Sequence, residues 1–108
     1  MNDRELLEMA AKAAGYEVVD RSATVTLYIA SDGCAGGVRW NPLTDDGDAL
    51  RLALRLQFNL DLGYRGASVE NMFGKPLAEE LCHKDSGREG ECTRRAITRA
   101  AAEIGKAM

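Results

Sequence analysis

The most regular apolar pattern lies in the middle of the chain. From residue 50 to residue 62, every second residue is leucine or phenylalanine, which is the period of a half-buried β-strand. The composition favours a helix instead, because the run contains Leu, Ala, Arg and Gln but no Val, Ile or Thr. Thr44 or Asp45 could cap this helix, and its first turn would hold a cluster of carboxylates that suits the positive end of a helix, namely Asp45, Asp46 and Asp48.

Wound as a helix, this run predicts a central and mostly buried element. Its apolar side chains would cover roughly 240° of the helix surface. They are Ala49, Leu50, Leu52, Ala53, Leu54, Leu56, Phe58 and Leu60. A narrow polar stripe remains, made of Asp48, Arg51, Arg55 and Asn59, in which Asp48 and Arg51 are spaced for an ion pair. Burial predicts that Leu54→Asp unfolds the domain and that Arg55→Glu is nearly neutral.

Two other amphipathic stretches predict a helix near each end of the chain. Residues 3–14 follow a capping residue, Asn2 or Asp3, and stop at Gly15, with Tyr16 placed to fold back over the last turn. The face predicted to point inward holds Leu6, Leu7, Met9, Ala10, Ala13 and Ala14, whose small side chains imply a close approach to the packing partner. The last helix is predicted from about residue 91 to 107. Its inward residues would be Thr93, Ile97, Ala100, Ala101, Ile104 and Met108.

Strand signals fill the remaining segments. Residues 17–21 and 24–30 are rich in β-branched residues, 31–37 reads as a turn, and Val38 begins a partner strand that leads through Asn41-Pro42 into the central helix. A second hairpin is predicted from 61–65 and 68–73 around Gly66-Ala67, with an edge strand over 77–84 and a capping box beginning at Ser86. The whole chain, residues 1–108, is therefore predicted to be one α/β (α+β) domain, a small, mostly antiparallel sheet packed with three helices.

Composition and charge limit the classes of function that the chain could have. The 108 residues are 45% hydrophobic and 29% charged, which is ordinary for a globular domain. A net charge of −3 gives no general attraction to nucleic acid or anionic membrane. No apolar run approaches the ~20 residues of a spanning helix, and the acidic N-terminus is unlike a signal peptide. An intracellular protein is expected, with its three cysteines as reduced thiols.

Two segments also carry a family resemblance. Residues 40–52, from Trp40-Asn41-Pro42 onward, and residues 93–105 in the final helix together resemble the small phage and prophage proteins of the "phage ABA sandwich" family. The Gly15-Tyr16 exit of the first helix fits the same pattern, whereas residues 63–90 depart from it. The resemblance implies an α/β sandwich encoded by tailed phages and working in the host cytoplasm. It implies no catalytic residue.

Sulfur and imidazole groups are the first candidates for chemistry. A site of zinc ligands could be composed from Cys34, Cys82, Cys92 and His83, but no Cys-x₂₋₄-Cys spacing is present. Cys82 and His83 are neighbours, which on a strand would point to opposite faces, so they do not predict a nucleophile and base. Thiols without a metal are favoured, although the sequence does not settle whether the four residues converge.

Two further motifs have a structural interpretation as well as a functional one. The glycine-rich segment 31–37 resembles a phosphate-binding loop, but it runs between strands and has no lysine, so a hairpin turn is favoured. Asp45, Asp46 and Asp48 could bind a divalent cation or act as acid and base. Helix N-termini attract carboxylates without either role, and no second carboxylate cluster supports a metal.

The final helix offers a possible nucleic-acid surface. Its region contains Arg88, Arg94, Arg95, Arg99 and Lys106, of which Arg95, Arg99 and Lys106 share one face. Acidic neighbours dilute this charge and no aromatic residues alternate with it, so a solvated face is favoured. Trp40 is the aromatic residue for which a binding role is plausible, and a core or lid position is the favoured interpretation.

The sequence thus predicts no enzyme, no catalytic or metal-binding residue and no cofactor. The favoured hypothesis is a phage-encoded accessory protein that acts by binding a protein partner from the host or the phage. The alternatives are a nucleic-acid-binding module that uses the basic C-terminal helix, and a small metal-binding protein or enzyme. The sequence does not address the oligomeric state.

Overall fold

The chain folds into three helices and two small antiparallel sheets of three strands each. The computed structural model describes residues 2–20, 27–31, 34–63, 66–82 and 87–108. The elements are α1 (Asp3–Ala14), β1 (Val18–Asp20), β2 (Leu27–Ser31), β3 (Cys34–Trp40), α2 (Asp46–Leu56), β4 (Asn59–Gly63), β5 (Gly66–Glu70), β6 (Pro76–Leu81) and α3 (Glu89–Ala107). The first sheet has the order β1-β2-β3 and the second β4-β5-β6. The predicted α+β class with three helices is confirmed, with the strands divided between two sheets.

Helix α1 has the ends that its sequence predicts. The Asn2 side chain accepts a hydrogen bond from the Glu5 amide at 2.8 Å, and Gly15 closes the helix in the left-handed region at φ 76°. The Tyr16 amide then donates to the Ala11 carbonyl, as the fold-back prediction requires. The buried residues are Leu6, Leu7, Ala10, Ala11 and Ala14. Ala11 was not predicted, and Met9 and Ala13, which were predicted to point inward, are only half-buried.

The central helix is α3, not α2. It packs against α1, α2, β5 and β6, and eight of its nineteen residues are buried. Most of these are small, so the helix can be covered on nearly every side. They are Cys92, Ala96, Ile97, Thr98, Ala100, Ala101, Ala102 and Gly105. Of the predicted inward residues, Thr93 and Ile104 are only half-buried and Met108 is 66% exposed.

Small residues let α1 and α3 approach closely. A Cβ atom at Gly105 would lie 1.9 Å from the carbonyl oxygen of Met9, so only glycine fits this crossing. Arg95 of α3 also reaches Asp3 of α1 at 3.2 Å. The close approach predicted from the alanine-rich face of α1 is confirmed.

Helix α2 differs from the prediction in length and burial. Asp45 caps it by accepting from the Asp48 amide at 2.8 Å, as expected, but the helix ends at Leu56 and the next apolar residues belong to strand β4. Only Ala49, Leu52 and Ala53 are buried, whereas Leu50 and Leu54 are 55% and 67% exposed. The prediction of a mostly buried helix was wrong because, among the described elements, α2 packs mainly against α3 and has a smaller contact with α1.

Both predicted hairpins are present with shifted turns. In the first sheet Ser31 already pairs with Cys34, so the predicted turn 31–37 is too long, because residues 34–37 belong to β3. In the second sheet Gly63 pairs with Gly66, which places the turn two residues before the predicted Gly66-Ala67. Strand β6 lies at an edge of the second sheet, as predicted for residues 77–84.

The entries to the two later helices are built differently. Asn41 is buried and its side chain accepts from the Leu43 amide at 3.0 Å, which forms the predicted turn into α2. Helix α3 begins at Glu89, with Arg88 at the N-cap position and no side-chain cap hydrogen bond from Arg88. The predicted capping box begins at Ser86, which lies outside the described residues. None of the helices in the described segments is long and apolar enough to cross a membrane.

Candidate functional site

Two of the candidate thiols meet where β6 and α3 come together. Cys92, in the first turn of α3, is buried, and its Sγ lies 3.9 Å from the carbonyl oxygen of Leu81. Burial, and then a hydrogen bond with the Cys82 thiol, raise the pKa of Cys92 to about 11. A thiol with this pKa is protonated at neutral pH and is a poor nucleophile.

The structure gives no side-chain position for the other two members of the candidate metal site. His83 and the side chain of Cys34 lie outside the described residues. Within the described segments, no three His, Cys, Asp or Glu side chains converge in an arrangement that could hold a metal ion.

The aspartates at the start of α2 have structural partners. Asp45 is the N-cap, and Asp48 accepts from the Asn41 amide at 2.9 Å and pairs with Arg51 at 2.8 Å. Asp46 pairs with Arg94 of α3 at 2.6 Å. The predicted cap at Asp45 and the predicted Asp48–Arg51 ion pair are confirmed, whereas the Asp46–Arg94 pair was not predicted.

The glycine-rich segment 31–37 joins two antiparallel strands, as the hairpin interpretation requires. Asp32 and Gly33 lie outside the described residues. Gly37 has φ 82°, and a Cβ atom there would lie 2.8 Å from the Ile29 carbonyl oxygen. At least one of its glycines is therefore explained by backbone geometry in the sheet.

The arginines in and before α3 pair with carboxylates on three sides of the helix. Because each pair joins opposite charges, the positive field of this segment is reduced. The pairs are Arg88–Glu91 at 3.3 Å, Arg94–Asp46 at 2.6 Å, Arg95–Asp3 at 3.2 Å and Arg99–Glu80 at 2.7 Å. Arg99 and Lys106 lie on the outward face, as predicted, while Arg95 is half-buried.

Trp40 lies in the core. It is 3% exposed, and its ring meets the Tyr16 ring edge-on with centroids 5.6 Å apart and planes at 75°. The core interpretation of Trp40 is confirmed.

A cavity of about 750 Å³ lies between α2, the first half of α3 and strand β4. It is lined by Ala49 and Leu50 of α2, by Leu60 and Leu62 of β4, and by residues in the first half of α3. We refer to it as the apolar groove, defined by Ala49, Leu50, Leu60, Leu62, Cys92, Thr93 and Ile97. Its volume is in the range of ligand-binding pockets, which are typically ~300–1,000 Å³.

The register of the second sheet explains why one wall of the groove is apolar. Leu60 pairs with Val69 and Leu62 with Ala67, so all four side chains point to the same face of the sheet. Val69 and Ala67 of β5 are 1% and 3% exposed, in the core, because β5 packs on α3. Strand β4 extends the same apolar face beyond this support, and Leu62 is 64% exposed.

A half-buried arginine lies at one end of the groove. The Arg94 side chain is 22% exposed, and its Nε donates to the Leu43 carbonyl at 3.0 Å while Nη1 pairs with Asp46. These bonds join α3 to the first residue of α2 and to the turn that precedes it.

Sequence reasoning missed this site because it assigned Leu50 and Leu60 to one buried helix. The period-2 alternation through Leu60, Asp61 and Leu62 was the signal that could have revealed it, since it marks a strand with one apolar face.

In comparisons with protein-family models, with curated proteins and with solved structures, the chain gave no match. The resemblance to phage ABA sandwich proteins therefore stays a prediction.

Proposed function

We propose that the protein is a non-enzymatic binding module that takes a segment of a protein partner into the apolar groove. The observation that carries the proposal is that two solvent-exposed leucines from different elements line the groove, Leu50 of α2 at 55% and Leu62 of β4 at 64% exposure. Exposed leucines gathered around a concave surface are typical of interaction sites, because covering them removes apolar area from water.

The polar groups of the groove also favour binding over catalysis. The Cys92 thiol is protonated at neutral pH, since its pKa is about 11. Arg94 and Asp46 bond to each other. Groups held in this way can orient a partner at the rim of the groove, whereas a general base or nucleophile needs a pKa nearer to the working pH.

The family resemblance supports a more specific setting. A phage accessory protein acts in the cytoplasm of the bacterial host, and its partner would be a host or phage protein. The paired arginines of α3 make nucleic acid the less favoured partner.

A competing apolar surface lies on the turn between β5 and β6. Met72 and Phe73 are 54% and 87% exposed there. This turn projects from the sheet and does not line the groove. It therefore provides a comparison site for any test of the groove.

The test is affinity capture from a bacterial lysate with and without nuclease, followed by mass spectrometry. The bait proteins are the wild type, Leu62→Lys in the groove, and two controls outside it, Leu54→Lys and Phe73→Ser. Leu54 is the matched control because it is 67% exposed and lies one turn from Leu50 on the same helix.

The proposal predicts one stoichiometric protein that survives nuclease, is lost with Leu62→Lys and is kept with both controls. Capture of nucleic acid alone, or of a protein that Leu62→Lys retains, would overturn it. Circular dichroism of each bait checks that the substitutions leave the fold unchanged.

A further inference from the structure

We propose that the partner segment binds as an extended strand beside β4, with apolar side chains in the groove alternating with basic side chains on the outer face of the sheet. This inference rests on the proposed binding function and adds the geometry and chemistry of the partner. Three observations support it, namely the position of β4 in the sheet, the direction of its leucines and the charge of its outer face.

Strand β4 lies at an edge of the second sheet. Within the described segments its one strand neighbour is β5. In an antiparallel pair, alternate residues of an edge strand point their N–H and C=O groups away from the neighbour, so β4 offers backbone donors and acceptors to another strand. Such strand addition is a common mode of peptide recognition.

The open edge of β4 adjoins the groove. Strands β5 and β6 pack on α3, whereas β4, next in the sheet order, lines the groove together with Leu50 of α2. A strand added to β4 would therefore lie above the groove. Every second side chain of that strand would point to the same face as Leu60 and Leu62 and enter the groove.

The outer face of the second sheet is acidic. Asp61 pairs with Ser68, and Ser68 pairs with Glu79, so these three residues form a row across the outer face, and Asp61 and Glu79 are both exposed. Glu70 follows on the same face, opposite Asn59. Lysine or arginine at the outward positions of an added strand would lie beside Asp61, and opposite charges across strands are favourable.

The same charges argue against a second copy of this chain as the occupant. Two copies of β4 paired over their full length, Asn59–Gly63, would place Asp61 directly opposite Asp61 of the other copy. Like charges directly opposite are destabilising, and the outer rows of carboxylates would also meet. The structure thus favours a different chain with basic outward residues.

The experiment selects random octapeptides from a display library on the wild-type protein, with counter-selection on Leu62→Lys. The proposal predicts that the enriched peptides alternate apolar and basic residues. The best peptide is then measured by fluorescence anisotropy against the wild type, Leu62→Lys, Asp61→Lys and the control Leu54→Lys.

We expect Leu62→Lys and Asp61→Lys each to weaken binding at least tenfold, and Leu54→Lys to leave it within twofold. Methylating the peptide nitrogens at alternate positions should weaken binding at least tenfold in one of the two frames, because strand addition uses alternate backbone groups. The same peptide with glutamate in place of its basic residues should bind Asp61→Lys better than the wild type.

Enriched peptides with apolar residues at helical spacing, or binding that is insensitive to methylation in both frames, would overturn strand addition. A protein dimer that Leu62→Lys dissociates, measured by sedimentation, would replace the proposed partner by a second copy. If lysate capture depends on Leu62 while no alternating peptide is enriched, the proposed binding function is supported and strand addition is refuted. If capture is independent of Leu62, both the binding function of the groove and strand addition are refuted.

Discussion

Arg55 and Leu54 are expected to have stability effects opposite to those that the pattern of the sequence predicts. Arg55 lies on the polar stripe of α2, yet its Nε donates to the carbonyl of Ala14 at the end of α1, and its guanidinium lies 5.1 Å from the centroid of the Tyr16 ring. It therefore joins α2 to the C-terminus of α1. Leu54 lies on the same turn but is 67% exposed.

The size of each effect follows from these contacts. Arg55→Glu removes a hydrogen bond from a charged donor, about 1–1.5 kcal/mol at a half-exposed site, and a cation–π contact of about 0.5–1 kcal/mol. It also brings a negative charge to the C-terminus of α1, which costs about 0.5 kcal/mol. The expected loss is about 2.5 kcal/mol. Leu54→Asp lowers the helix propensity and places a negative charge near the C-terminal end of α2. Together these effects should lower the free energy of unfolding by about 1 kcal/mol.

Urea denaturation followed by circular dichroism measures both values. For a domain of this size, about 2.5 kcal/mol corresponds to a fall in Tm of about 10 °C and about 1 kcal/mol to about 4 °C. Arg55→Lys should retain little of the stability that Arg55 provides, because an ammonium does not reproduce the guanidinium geometry at this site. Unfolding by Leu54→Asp together with tolerance of Arg55→Glu would refute the assigned position of α2.

Three other predictions concern packing, capping and the thiols. Gly105→Ala should lower the free energy of unfolding by about 3 kcal/mol, because its Cβ would lie 1.9 Å from the Met9 carbonyl oxygen. Gly63→Ala is the control: a Cβ there meets nothing within 4 Å, so the free energy of unfolding should change by less than about 0.5 kcal/mol. Gln57→Gly should raise the stability by about 0.5–1 kcal/mol, since Gln57 closes α2 with φ 55° in the left-handed region, and an unchanged Tm would contradict this. With a pKa of about 11, about one Cys92 thiol in a thousand is ionised at pH 8. Iodoacetamide should therefore modify Cys92 at least a hundredfold more slowly in the native protein than after unfolding in urea. Equal rates would contradict the assigned burial.

The same Cys92 pKa has a consequence for stability at high pH. A thiol whose pKa is raised from 9.0 in the unfolded chain to about 11 in the folded protein holds its proton more tightly when folded. The contribution of the protonated Cys92 thiol to the free energy of unfolding is fully present below pH 9 and is lost as the pH rises to about 11. Cys92→Ala should flatten the decline of Tm between these pH values.

The parts of the fold that sequence reasoning predicted are those set by local chemistry. Asn2 and Asp45 cap helices, Gly15 ends one, and the Asn41-Pro42 turn enters another, because each of these depends on a few neighbouring residues. The number of helices and the two hairpins followed from the same local signals.

The parts that it missed depend on which surfaces meet. The run from 50 to 62 changes from helix to strand at Gln57, and its uninterrupted period concealed the change. The sequence did not identify α3 as the central helix, because most of its buried residues are small, although their small size is what allows four elements to pack around it. The groove depends on Leu50 and Leu62 having no covering element in the described chain, which no pattern within either segment reveals.

Site-specific photocrosslinking is the most direct test of the claim that the groove binds a protein. A benzophenone side chain is introduced in place of Leu62, inside the groove, or in place of Phe73, on the competing apolar turn, and each protein is irradiated in bacterial host lysate. The account predicts that position 62 crosslinks to one defined protein, at a segment that alternates apolar and basic residues, and that position 73 gives no defined product. A defined crosslink from position 73 with none from position 62 would contradict it.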